Sequence, residues 1–283
     1  MEVQWYPGQM AKAKRLLREN LKLVDAVIEV LDARIPASSQ NPDVRGILQN
    51  KPIIAVLTRA DLADPKETQK WLQVLRRHYF AASAVNARTG AGIKGLISTL
   101  KTVPVRSKHK RRPLRLMVAG IPNVGKSSLI NRLIGRSAAI TGDKPGVTKG
   151  KQWVRLPGNL ELLDTPGLLW PKITSGKQAF CLAAVGAVKD EIINPIELGL
   201  ALTKYLHHHA KQNFTQRYKI DNKIEEPLAL LAEVGKRRGC IKKGGEVDLE
   251  LAARILIKDF REARLGRLTL EKVETMGEEN EGL

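Results

Sequence analysis

The chain has 283 residues, room for two domains with a buried core, and 48 lysines and arginines against 29 acidic residues give a formal charge of +19. Solubility needs far less charge than this, so a polyanionic partner is expected, nucleic acid before an anionic membrane surface. Aromatic residues are only 4%, which argues against broad base-stacking platforms, and Cys181 and Cys240 alone make neither a disulfide framework nor a zinc site.

No apolar run is long enough to span a bilayer, and Met1 to Gly8 has neither a signal-peptide nor a transit-peptide pattern. The expected location is the cytoplasm, with no membrane partner. Residues 10–24 place Met10, Ala13, Leu17, Leu21 and Val24 on one helical face, with Lys12, Lys14, Arg15, Arg18 and Lys22 mostly off it. That basic face serves either solvation or nucleic-acid contact. Ala26 to Leu31 reads as a strand ending at Asp32-Ala33-Arg34-Ile35-Pro36, and a polar loop, 37–42, leads to a short helix ending near Asn50. Pro52 to Leu57 is nearly all apolar, which predicts a central parallel strand. It delivers Thr58-Arg59-Ala60-Asp61 to a C-terminal strand end, where open α/β sheets bind ligands. A helix over 65–78 follows, then a strand from about Tyr79 that ends at Ser83-Ala84, a turn over 86–92 and a helix over 93–100. Lys101 to Pro113 is strongly basic and reads as an exposed linker.

Leu114 to Ala119 is a buried strand, and Gly120-Ile121-Pro122-Asn123-Val124-Gly125-Lys126-Ser127 has the spacing G-x-x-x-x-G-K-[ST] of a phosphate loop. Helical spacing resumes from Ser128. Strand, glycine loop and helix start are the context this motif requires, because glycines let backbone N–H groups approach phosphate at a helix N-terminus. Lys126 would reach the β- and γ-phosphates, and the Ser127 hydroxyl would bind Mg²⁺. Thr141 to Thr148 is a polar, Gly- and Pro-marked segment. Strands over 152–156 and 160–163 turn at Pro157-Gly158-Asn159, and the second ends in Asp164-Thr165-Pro166-Gly167. After Pro171 only helices are predicted, near 177–188, 195–209, 227–238 and 247–265. The expected domains are therefore 1–175, with its basic linker at 101–113, and a helical 176–283. His207-His208-His209 points its rings in different directions on a helix, a poor metal site, and the acidic tail from Glu271 is expected to fray.

These parts fit one chemistry. Asp164 ends an apolar strand as the Mg²⁺-associated acid of P-loop NTPases does, acting through water, and Thr148 would complete the metal shell. Gly167 can offer its N–H to a γ-phosphate, so loop ordering would report whether that phosphate is present. The Asp61 carboxylate can accept from guanine N1–H and its exocyclic amine, a donor pair that adenine lacks. Ser83-Ala84 would close over the base. The base-reading motif precedes the phosphate loop, whereas in most such proteins it follows. A circular permutation explains this order, with the 101–113 linker joining the old termini.

The set Thr58–Asp61, Ser83-Ala84, Gly120–Ser128, Thr148 and Asp164–Gly167 resembles the circularly permuted GTPases of the YlqF type, the ribosome biogenesis GTPase A family. Trp5-Tyr6-Pro7-Gly8, Asp32–Pro36 and Gly266-Arg267-Leu268-Thr269 match as well, so the likeness spans nearly the whole chain. It implies an α/β P-loop GTPase domain, circularly permuted, followed by a small all-α domain. It further implies hydrolysis of GTP in a late step of large (50S) ribosomal subunit assembly, with rRNA and ribosomal proteins as partners. By this resemblance the nucleotide contacts are Thr58, Arg59, Ala60, Asp61, Ser83, Ala84, Asn123, Val124, Gly125, Lys126, Ser127, Ser128 and Gly167. Lys126, Thr148 and Gly167 would act in catalysis, Ser127, Thr148 and Asp164 on Mg²⁺, and Asn123 on K⁺.

Three positions depart from the family. Thr58-Arg59 replaces Asn-Lys, and an arginine can still lie along the base plane. Leu168 stands where small GTPases place a water-orienting Gln, as is usual in this family. Gln9 replaces a His, and can orient water without taking its proton. Two rival functions remain: an RNA-binding scaffold holding a structural GTP, and an ATP-using P-loop enzyme acting on RNA, against which Asp61 speaks.

Overall fold

A computed structural model describes residues 15–41, 46–47, 51–104, 112–135, 140–141, 153–163, 173, 175–221 and 223–274. The described residues divide into two compact units, 173–270 and the remainder, and 271–274 belong with the remainder.

Uninterrupted apolar runs make strands that are buried on both faces, and these form the centre of the α/β unit. β1 (Ala26–Asp32) is buried along its whole length, and β2 (Ile53–Thr58) along all but its first residue. β3 (Ala81–Ala84), β4 (Leu114–Ala119), β5 (Ile140–Thr141), β6 (Trp153–Leu156) and β7 (Leu160–Leu163) complete a seven-stranded sheet of order β3-β2-β1-β4-β7-β6-β5. Strands β3, β2, β1, β4 and β7 run parallel, while β6 and β5 add antiparallel to that edge. From β1 the chain moves outward through β2 to β3, then returns to place β4 on the other side of β1. The strand order therefore reverses between β1 and β4, and ligands of open α/β sheets bind beyond the strand ends at such a point. Asp32 ends β1 there, and Gly120 follows β4.

The helices cover the sheet through periodic apolar stripes. Of the basic N-terminal helix, residues 15–21 are described: Leu17 and Leu21 join Val24, Val27 and Met117 in the core, and Arg15, Arg18 and Lys22 are exposed. The helix Pro65–His78 starts where the sequence requires, because the Asp64 carboxylate accepts from the N–H groups of Lys66 and Glu67 and Pro65 occupies the first turn. Its Trp71, Leu72 and Leu75 pack on Leu31, Ala55 and Leu57. A further helix spans Ile93–Lys101.

The other unit contains the helices Gly176–Ala184, Pro195–His209, Lys211–Tyr218, Pro227–Arg237 and Leu249–Arg261. Pro195 and Pro227 sit in first turns, capped by Asn194 and Glu226. At Gly199 a Cβ would stand 2.6 Å from that of Ala253, so glycine is what lets these two helices approach. A buried Asp259 gathers Arg217, the Tyr218 hydroxyl, Arg238 and Arg264 at 3.0–3.2 Å.

Four features differ from the sequence reading, the first being the short edge strand β5, which falls where no strand was expected. Lys211–Tyr218 is helical although its polar sequence carries little amphipathic signal. Arg112, placed in the exposed linker, instead makes a two-pronged ion pair with Asp25 at 2.6 and 3.0 Å. The tail does not fray at its start: Glu271 is buried, and its carboxylate accepts from Ala37 N at 2.7 Å, Ser38 N at 3.0 Å and the Ser38 hydroxyl. The Trp71 indole donates to the Glu271 carbonyl at 2.7 Å.

Candidate functional site

The phosphate loop joins β4 to the helix Lys126–Ile134, as its spacing predicts. Gly120 has φ +151°, and a Cβ there would lie 2.6 Å from the Val30 carbonyl oxygen. Only glycine fits between the two strand ends. Asn123 (φ +58°) and Gly125 (φ +94°) carry the left-handed turns of the loop, the kind of backbone that aims successive N–H groups at an anion. Val124 is buried beneath it, and Ser127 and Ser128 stand exposed in the first helical turn. Lys126 donates to Ile121 O at 2.5 Å, and burial pushes its ammonium down to about 8. A half-buried lysine destabilised in its charged form suits a polyphosphate as counter-charge.

The segment Thr58–Asp61 reaches this loop from β2. Thr58 Oγ1 lies 2.5 Å from Val124 O and 3.0 Å from Leu31 O, positioned to donate its proton to either. The Thr58 side chain also packs 3.5 Å from where a Cβ on Gly125 would be. Arg59 takes the left-handed conformation, φ +54°, and donates through NH2 to Asn123 O at 2.7 Å. Through NH1 it donates to Asp32 Oδ2 at 3.1 Å. Ala60 N points to Val85 O at 3.4 Å, and Asp61 is half-buried two residues beyond Arg59. Ser83 and Ala84 end β3 in register with Val56 and Leu57, and the Val85 N–H donates to Leu57 O.

Thr58 and Arg59 thus meet Asn123, Val124 and Gly125, although 60 positions and more separate them in sequence. Gln9, Thr148, Asp164, Gly167 and Leu168 lie outside the described residues. Sequence reasoning missed Asp32 and Arg34. Asp32 is completely buried and Arg34 is 1% exposed. Oδ1 accepts from Arg34 N and Nε at 3.0 and 2.9 Å, and Oδ2 from Arg34 NH2 at 2.8 Å. Burial alone would raise the Asp32 pKa, but the Arg34 charge and hydrogen bonds, with Arg59 behind them, hold it below the usual carboxylate range. Arg132 was also missed: from the phosphate-loop helix it donates to Ala87 O at 2.6 Å and to Arg88 O, tying down the loop after Ser83-Ala84.

A phosphate loop where the strand order of the sheet reverses, preceded in sequence by the segment that abuts it, defines a P-loop nucleotide-binding domain with its motifs in permuted order. A family profile described as a 50S ribosome-binding GTPase matches residues 115–232. Ribosome biogenesis GTPase A of Priestia megaterium is 42% identical over 279 residues, covering 96% of this chain and 97% of the relative. That of Thermotoga maritima is 32% identical, covering 96% and 95%. The chain therefore belongs to the ribosome biogenesis GTPase A family. Among solved structures, a GDP-bound YlqF superposes with a TM-score of 0.68 at 28% identity, covering 92% of this chain and 100% of that one. A GNP-bound YlqF from T. maritima gives 0.67 at 29% identity, with 92% and 98% covered.

Proposed function

We propose that this protein binds and hydrolyses GTP to drive a late step of large (50S) ribosomal subunit assembly. The observation that carries this reading is the pair of bonds from Thr58 and Arg59 to the carbonyls of Val124 and Asn123, which joins the base-reading segment to the phosphate loop. In this reading Asp61 selects guanine, Arg59 lies along the base and Ser83-Ala84 close over it. Lys126 and the N–H groups of the loop stabilise charge on the transferring phosphoryl group, positioning rather than covalent chemistry doing the catalysis. Thr58, Ala60, Val124, Gly125 and Ser128 complete the nucleotide contacts.

The exposed Ser127 hydroxyl beside a burial-depressed Lys126 fits a phosphate-bound Mg²⁺, with Thr148 and Asp164 as its further partners. Bound there, the ion would neutralise charge between the β- and γ-phosphates. Asn123 is assigned to K⁺, Gly167 to sensing the γ-phosphate, and Gln9 to orienting the attacking water. The functional division is 1–175, with its linker at 101–113, and 176–283, apart from 271–274, which pack with the GTPase unit. The helical part is assigned to rRNA, with ribosomal proteins nearby, in the cytoplasm; the +19 charge supports that partner. Among the described residues no helix is long and apolar enough to cross a membrane.

Co-sedimentation with large subunits under GTP, GDP and a non-hydrolysable analogue tests the proposal. Binding that depends on the γ-phosphate is expected, and equal binding in all three states would favour a scaffold with a structural nucleotide. Competition of ATP against GTP separates the ATP-using alternative.

A further inference from the structure

The guanidinium of Arg59 reaches two places at once: the carboxylate of Asp32 and the backbone carbonyl of Asn123. The first partner is rigid. Asp32 is fully buried at the end of β1, its N–H donates to Ser39 Oγ at 3.1 Å, and Ala33 N donates to Thr58 O at 3.0 Å. Arg34 already neutralises Asp32 within the core, so Arg59 brings an additional positive charge to the strand end. The second partner is a loop residue in the left-handed region, which asparagine tolerates better than most residues other than glycine. Arg59 itself is left-handed.

We infer that Asp32 is a positioning residue for nucleotide binding: it fixes the Arg59 guanidinium, which in turn holds the Asn123 turn of the phosphate loop in its anion-binding shape. The role deepens the GTPase reading and rests on it. Its chemistry requires an arginine. Two N–H groups of one planar fork satisfy acceptors on different elements, whereas the single ammonium of a lysine on a flexible stem does not span both in that geometry. The relay holds loop backbone and touches no reacting group, so it acts on the binding of the phosphates common to GDP and GTP. It does not act on charge that develops only in the transition state.

The test is a double-mutant cycle on the full chain, read by release of fluorescent GDP and by competition with unlabelled GDP and GTP. Asp32→Asn and Arg59→Ala should each weaken both nucleotides by about tenfold, the scale of a charge-assisted hydrogen bond. The double variant should be no weaker than the worse single variant, since both changes cut one relay. For Asp32→Asn the loss should fall on KM and not on kcat, which a general loosening of the core would not produce. Should Asp32→Asn fail to fold, Arg59→Lys carries the test, with GDP release accelerated about threefold expected at an unchanged melting temperature. Multiplicative losses in the double variant, or release from Arg59→Lys at the wild-type rate, overturn the positioning role. A wild-type protein that binds no guanine nucleotide overturns the GTPase reading itself.

Discussion

Replacing Glu271 by alanine tests whether the chain's return to the GTPase unit is structural. Its carboxylate is the acceptor for two backbone N–H groups and one hydroxyl, and the residue is only 3% exposed. Truncation takes this acceptor away from two donors on the buried Ser38 and from the half-buried Ala37 N–H. Each costs about 1–3 kcal/mol, and with partial relaxation the sum is about 4 kcal/mol. A domain of this size loses about 2–4 °C for each kcal/mol, so the melting midpoint of the GTPase unit should fall by about 10 °C. Trp71, whose indole donates to the backbone carbonyl of Glu271, is a fluorescent reporter at the contact itself. Urea unfolding followed by fluorescence, with the other three tryptophans replaced by phenylalanine so that Trp71 alone reports, gives the difference directly. Glu274→Ala is the control: Glu274 pairs with Lys70 but its side chain is 74% exposed, and the change should leave the melting midpoint unmoved. A loss below about 1 kcal/mol for Glu271→Ala would show that the buried carboxylate contributes little and that the reasoning is wrong.

Two further outcomes follow from the charges. Burial pushes Lys126 down to about 8, and polyphosphate beside it must raise that value, so binding takes up a proton above pH 8. Apparent GDP affinity, measured by titration calorimetry in two buffers of different ionisation enthalpy, should fall about fivefold between pH 8 and 9. The nucleotide-free protein moves the other way, because a lysine depressed in the folded state favours folding more as pH rises from 8 towards 10.5. In the helical unit, Asp259→Asn deprives three arginines of their shared counter-charge and should cost about 3 kcal/mol in denaturant unfolding.

The sheet was legible because its strands are short apolar runs bounded by turn residues, and the helix at 65–78 because Asp64 and Pro65 announce its start. The phosphate loop was legible because its backbone geometry depends on glycines at fixed spacing. What escaped was contact between distant positions. Nothing in Thr58-Arg59 says that its side chains turn to the carbonyls of Val124 and Asn123, and nothing in Asp32-Ala33-Arg34 says that both charges are buried. The acidic tail looked solvated because the donors that hold Glu271 are backbone N–H groups of Ala37 and Ser38, invisible in a pattern of side chains. The helix Lys211–Tyr218 escaped because its apolar stripe is little more than Phe214 and Tyr218, packed edge to face.

The most direct measurement is GTP turnover by the full chain at a fixed concentration, with and without purified large ribosomal subunits. The account predicts slow intrinsic hydrolysis that rises about tenfold or more and saturates as subunits are added. A rate that large subunits leave unchanged would contradict it.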